Sequence, residues 1–446
     1  MKLFEDFFIT LYDAYSTFMK IKYHLLIITM LILSHMSMAQ ALNFDDYFTS
    51  GSLRIDLLLT GNHTNKTATI HQLKKEPHYG GGTSAQLIFP DLGNYRIVIK
   101  DELSKKMIFS KGFSPIFSEW QATEEAKNKY KSFENTFTVP FPKHNIILEV
   151  QSRERDNSFS NLLIETINPN QFDIIKETSS FYPSTKIYGH KPPQNAVDIA
   201  ILAEGYTTEE MPKFKKDAQR FIDYMMSVEP FKSNRNHFNV YIVESPSQES
   251  GTDIPGENIY KNTILNSHFY TFGEPRYLTT LSSFKISDIA ANVPYDQIFV
   301  IVNTPRYGGG GFYNVINLVS ADNDLSEKVF VHEFGHGFAG LGDEYYNNSG
   351  GTTDLYNLKV EPWEPNLTTL VDFDKKWKHK VNKNTPIPTP RTELYKNSIG
   401  VFEGGGYTPK DIYSPVQDCR MKSNTPENFC SVCTDALLET ILFYTK

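Results

Sequence analysis

The sequence predicts an α/β (α+β) domain with a mixed sheet, preceded by an all-β, sandwich-like domain. Two observations carry this. Residues 42–165 hold short alternating or apolar runs separated by turn clusters, whereas beyond residue 196 apolar strand runs alternate with segments of helical periodicity. Composition agrees: of 446 residues, 40% are hydrophobic, 13% aromatic and 22% charged, as in a folded globular chain. The net charge of −8 is modest, and the lysine-rich stretch 375–383 is too short for a basic stripe, so nucleic acid is not an expected partner.

The N-terminus follows other rules. Residues 1–41 read as an extension plus a signal peptide: Lys20 and Lys22 form a positive region, Leu25 to Leu33 an apolar one, and Ser37-Met38-Ala39 a small-residue cleavage site. An apolar stretch of about nine to twelve residues is too short to cross roughly 30 Å of hydrocarbon, so no stable span is expected in the mature chain. The expected location is secreted, periplasmic or at the cell surface.

In the first domain, "LRIDLLL", "TATIHQL", "SAQLIFP", "NYRIVIK", "NTFTVPF" and "HNIILEVQ" each have strand length, the rhythm of a small antiparallel sandwich. Residues 166–196, rich in Pro, Ser, Gly and Asn toward their end, form the expected linker to a domain spanning 197–446. There "AVDIAILAEGY" reads as a buried strand, and Phe214, Ala218, Phe221, Ile222 and Met225 mark a helix. Strands follow at 238–245 and 296–304, then one irregular, glycine-started edge strand over 307–321 that could receive an extended peptide. Asp324 and Glu327 have capping-box spacing, which places a helix from there to about Phe338.

That helix carries His332, Glu333 and His336. Four residues advance about 400° around a helix, so both imidazoles leave one face and can meet one ion, with Glu333 turned about 100° away. His-Glu-x-x-His is the zincin signature: imidazoles hold zinc, the ion makes bound water acidic near neutral pH, and the glutamate is the general base. A catalytic site needs a third protein ligand. In the metzincin pattern a glycine seven residues after the first histidine ends the helix and the ligand follows three later. Here Ala339 takes that place, Gly340 comes one residue late, and Asp343 keeps the glycine-to-ligand interval; Glu344 is its rival. A gluzincin-like arrangement would instead take Glu361 or Glu364. Gly335 and Gly337 each cost about 1 kcal/mol in a helix, which close backbone packing or early fraying would explain. Tyr345 and Tyr346 are candidate oxyanion donors.

"HEFGHGFAGLGDEYY", followed by "DCRMKSNTPENFCSVC", resembles the IgA-peptidase-type family of bacterial zinc metallopeptidases, metzincin-like zincins. The resemblance spans roughly residues 42–446 and implies a secreted zinc endopeptidase, with zinc as cofactor and Met421 in the turn beneath the metal. Its substrate would be a protein or peptide, host and dietary glycoproteins among the candidates. The other reading is a secreted or surface binding protein for a glycan or protein ligand, with a catalytically silent zinc-binding domain. Cys419, Cys430 and Cys433 are the only cysteines; in an exported chain one disulfide is expected, most simply Cys419 to Cys430 or Cys433, and a zinc knuckle lacks a fourth ligand nearby in sequence.

Overall fold

In residues 42–176, turn-forming clusters separate apolar and alternating runs, and the chain forms strands with few helical residues between them. In the computed structural model these are α1 (Phe44–Tyr47), β1 (Phe48–Gly61), β2 (Lys66–Glu76), β3 (Tyr95–Asp101), β4 (Met107–Phe113), α2 (Ile116–Gln121), β5 (Lys131–Pro142), β6 (Ile146–Arg153), β7 (Phe159–Ile167) and β8 (Ile174–Lys176). The structure describes Lys22 and residues 42–445 apart from 84–86, 177–180 and 347–354. The signal-peptide assignment therefore lies outside the described residues, except at Lys22.

The strands form two four-stranded sheets, ordered β5-β1-β2-β8 and β4-β3-β6-β7. Phe113 of one sheet meets Phe137 of the other with ring centroids 3.9 Å apart. Five of the six strand-like runs fall in β1, β2, β3, β5 and β6, while "SAQLIFP" shows, among its described residues, an isolated bridge at Ile88. β4, β7 and β8 escaped the sequence reading. In β7 the burial of side chains is too weak to mark one face.

The second half comprises β9 (Ser184–Tyr188), β10 (Val197–Glu204), α3 (Met211–Met225), β11 (Phe238–Val243), α4 (Ser283–Ala290), β12 (Gln297–Val302), β13 (Gly309–Phe312), β14 (Ile316–Ser320), α5 (Ser326–Ala339), β15 (Phe402–Gly405), β16 (Thr408–Ser414) and α6 (Ser431–Thr445). Its main sheet runs β13-β14-β12-β10-β11-β9, parallel among the inner strands and antiparallel at β9 and β13. Every residue of β10 is buried, which is why it reads as one apolar run rather than an alternating one. The expected single edge strand over 307–321 is instead a hairpin, β13 and β14, turning at residues 313–315. Segment 166–196 is structured at both ends: β8 pairs with β2 in the first half and β9 with β11 in the second. Residues from Phe44 onward form one compact unit. Arg54 of β1 reaches Asp288 of α4 at 2.7 Å, and Trp363 Nε1 donates to Asn94 at 2.7 Å, so polar contacts fasten the halves together.

Helix α5 is the centre of this half. Phe330, Phe334 and Phe338 form a buried stripe at i, i+4, i+8; Phe330 lies on Phe299 with centroids 3.8 Å apart, and Phe334 packs on Phe231. Burying three phenylalanines contributes roughly 1.5–3 kcal/mol each, which exceeds the cost of about 1 kcal/mol for each helix glycine. The expected capping box is not formed. Leu325 is the N-cap, Ser326 Oγ accepts from Asn323 N, and Glu327 pairs with Arg220 of α3 at 2.7 Å, because an ion partner outweighs a local backbone contact.

The glycines have a packing reason. A Cβ on Gly337 would lie 2.0 Å from Asn317 Oδ1 on β14, and one on Gly335 would lie 2.8 Å from Met421 Sδ. The helix does not fray at them; it runs to Ala339 and ends where Gly340 adopts φ +64°. Gly337→Ala should lower the unfolding free energy in a denaturant titration by about 1–3 kcal/mol, since Asn317 is buried and bonded to Ile298 and cannot retreat. On an exposed helix face the same change would stabilise by about 1 kcal/mol.

Candidate metal centre

Gly340 reverses the chain, and the reversal assembles the site. With a Cβ, φ +64° would be strained, and the added atom would lie 2.8 Å from Trp363. The next residue, Leu341, returns its carbonyl to His336 Nδ1 at 2.6 Å, and Asp343 then faces back toward the helix. His332 Nδ1 lies 2.8 Å from the carbonyl of Arg420, the residue before Met421. A carbonyl only accepts, so both Nδ1 atoms carry a proton and the Nε2 atoms are the ones left to ligate an ion once their own proton is lost.

Those donor atoms converge. His332 Nε2 and His336 Nε2 are 3.0 Å apart, and Asp343 Oδ1 is 3.2 Å from each. Three donors held at about 2.0–2.1 Å by a tetrahedral ion would stand roughly 3.3 Å apart, so the triangle has the size such an ion demands. Asp343 Oδ1 is buried and has no hydrogen-bond partner, a costly arrangement unless a cation satisfies it. The two histidines and the aspartate therefore fit a divalent ion. Burial alone would depress His336, but the Asp343 carboxylate beside it overrides that and lifts it to about 9; His332 is raised in the same way. Burial would push Asp343 upward, yet the imidazoles hold its carboxyl far below the usual carboxylate range.

The supports come from distant segments. Tyr407 donates its hydroxyl to Asp343 Oδ2, leaving Oδ1 for the histidine side. Asn366 brackets the loop, accepting from Gly342 N at 2.7 Å and donating to Gly342 O at 2.8 Å. Neither residue was found from sequence, although "GGGY" before Tyr407 signals a tight turn and Tyr407 itself sits at φ +64°. Met421 is fully buried against Gly335, under the helix turn between the histidines. Tyr345 lines the cleft and packs edge-on against Tyr407.

Glu333 is buried, and its pKa is raised by that burial against the lowering pull of the two histidines. Gly309 and Gly311 of β13 lie on this helix face: a Cβ at Gly309 would be 2.7 Å from Glu333 Oε1, and one at Gly311 would be 2.4 Å from Glu333 O. The glycine run thus lets a strand backbone approach the helix, and Tyr277 bridges to Gly309 along the strand's outer side. The site opens into a cleft of about 1180 Å³ with walls from both halves of the chain. From the first half comes Glu119, half-buried in the cleft wall, whose carboxyl is lifted by desolvation to about 7 and accepts the Tyr277 hydroxyl.

The other candidates lie elsewhere. Glu344 points away from the histidines, toward Asn366 and Cys433. Glu361 accepts from Thr368 and from Thr369 N, and Glu364 from Tyr356, so neither enters the histidine cluster. The expected disulfide is not formed. Cys419, Cys430 and Cys433 are free thiols, with the sulfurs of Cys419 and Cys433 3.9 Å apart.

Residues 186–397 and 391–441 match the family model described as IgA Peptidase M64, and residues 43–164 match that of the Peptidase M64 N-terminus. No curated protein matches the chain.

Two outcomes are expected. Asn366→Ala should weaken metal binding about 10–100-fold, read in a competition titration with a chromophoric chelator, because the Asp343 loop loses its clamp. Metal uptake must also displace the proton that His336 favours up to about pH 9; apparent affinity should rise with pH toward that value and level off above it, and acid should release the ion.

Proposed function

The chain belongs to the IgA peptidase M64 family, a family of metallopeptidases, and from that premise we propose that it is an exported zinc endopeptidase with Glu333 as general base. The observation that carries this reading is the convergence of His332, His336 and Asp343 beside buried Glu333 in an open cleft. Two imidazoles and one carboxylate are a zinc donor set. Held by His332, His336 and Asp343, zinc would supply Lewis acidity toward a peptide carbonyl and toward water.

The chain's own residues do the rest. Glu333, raised above an ordinary carboxylate by burial, takes the proton of the attacking water and returns it to the departing amine nitrogen. Leu341 O and Arg420 O hold the histidine tautomers, and Tyr407 holds Asp343. Met421 serves as the residue of a Met-turn, a role supported by its packing against Gly335. The glycine-rich β13 lines one wall of the cleft, with its outer edge bridged by Tyr277.

Residues 42–165 are read as a sandwich-like N-terminal domain, residues 166–196 as the segment joining the halves and residues 197–446 as a zincin-like catalytic domain. The two four-stranded sheets and the separate family-model match support the first; helix α5 on a mixed sheet supports the second. Among the described residues no helix is long and apolar enough to cross a membrane. Export rests on the positive, apolar and small-residue sequence at 20–39. The substrate is a protein or peptide; shared fold and metal chemistry do not decide which one, host or dietary glycoprotein included.

Glu333→Gln should retain metal content and fold while peptide cleavage falls by about 10²–10⁴-fold. Undiminished cleavage by that variant would remove Glu333 from the mechanism. Chelation should abolish activity of the wild-type protein and added zinc should restore it; turnover that survives complete metal removal refutes the zinc assignment.

A further inference from the structure

A second group of metal-ligand residues lies behind the first. Cys419, Cys430, Cys433 and Glu344 each offer a donor atom, and these atoms all lie within 4.8 Å of one another. Cys419 Sγ and Cys433 Sγ are 3.9 Å apart, and Cys433 Sγ is 3.2 Å from Glu344 Oε1. Around a tetrahedral zinc with bonds of about 2.3 Å to sulfur and about 2.0 Å to oxygen, those separations would be roughly 3.8 and 3.5 Å. The observed spacing suits an ion and is too long for a disulfide, which needs about 2.05 Å.

The surroundings point the same way. Glu344 is fully buried, and its Oε2 has no hydrogen-bond partner. Leaving a buried carboxylate oxygen unsatisfied costs at least about 1–3 kcal/mol, so a cation is the natural complement. Cys430 and Cys433 form a C-x-x-C pair at the start of α6, and the amide of Cys430 donates to Cys419 Sγ at 3.3 Å, which stabilises a thiolate. Lys422 and Arg391 bring positive charge close to Glu344, offsetting a donor set with more negative charge than one divalent ion neutralises. The sequence lacked a fourth ligand near the cysteines because that ligand arrives from residue 344, folded onto them by the Gly340 reversal.

We propose that Cys419, Cys430, Cys433 and Glu344 form a second, structural site for a thiophilic divalent cation, zinc by its chemistry. All four positions are taken by the protein, so no place remains for substrate. The site ties together the segments that build the catalytic one. Glu344 follows Asp343, its amide donates to Met421 O at 2.8 Å, and Cys419 precedes Arg420, whose carbonyl holds His332. Loading this site therefore fixes the third ligand and the turn under the histidines.

Metal analysis and cobalt substitution on the full chain test this independently of the peptidase reading. The wild-type protein should carry two metal ions, His336→Ala one and Cys433→Ser one. Cobalt in wild type and in His336→Ala should show intense near-ultraviolet sulfur-to-cobalt charge transfer, which the sulfur-free histidine site cannot give. Should Cys433→Ser misfold, thiol counting on the wild type decides: the three cysteines should resist a thiol reagent in the loaded protein and react after chelation. A single metal ion that disappears entirely in His336→Ala, or a mass lower by two hydrogens from a disulfide among the three, overturns the proposal. Sulfur-bound cobalt present in His336→Ala alongside an inactive wild type would leave it standing while refuting the peptidase reading.

Discussion

The reversal of the chain at Gly340 is the constraint on which the rest depends. A helix alone can aim two imidazoles at one point, but it cannot aim a third ligand there, because the following residues continue away along its axis. One residue in the left-handed region turns the chain, and three residues later Asp343 faces the histidines. The same turn lends Leu341 O to His336 and places Glu344 among the cysteines. Two adjacent carboxylates thus point to opposite sides of one strand of backbone, each toward a separate set of donors.

Close approach is the second theme, and glycine makes it possible. Gly335 admits the sulfur of Met421, Gly337 admits the side chain of Asn317, and Gly309 and Gly311 bring β13 onto the face that carries Glu333. Each trades helix or strand propensity for a backbone contact that no side-chain-bearing residue would allow. Glu333 is buried by this approach, and its carboxyl is raised accordingly. The penalty in propensity, about 1 kcal/mol per helix glycine, is small beside the buried phenylalanine stripe on the same helix.

The β-rich first half is part of the site rather than an appendage. It supplies Glu119 and Asn94 to the cleft, holds Trp363 through Asn94, and grips α4 through Arg54. Contacts of this kind explain why segment 166–196 lends one strand to each half instead of hanging free between them.

What could be read from the sequence was local. The periodicity of α3, the apolar runs of β10 and β12, and the histidine spacing on α5 are each determined by neighbours within one or two turns, so their elements stand where they were expected. The interval from Gly340 to Asp343 is also local, and it brought the aspartate into view alongside Glu344. The two carboxylates differ only in tertiary surroundings: Tyr407 holds Asp343, while Asn366 and Cys433 hold Glu344. Asn366 and Tyr407 are separated from Asp343 by 23 and 64 positions, and no pattern in a window of ten residues reports contacts across such distances. The hairpin at β13 and β14 was hidden by its glycines, which carry no hydropathy signal. Sequence determined which residues could chemically bind a metal; only the fold, by bringing donor atoms from remote segments close together at the floor of the cleft, decided which ones are placed to do so.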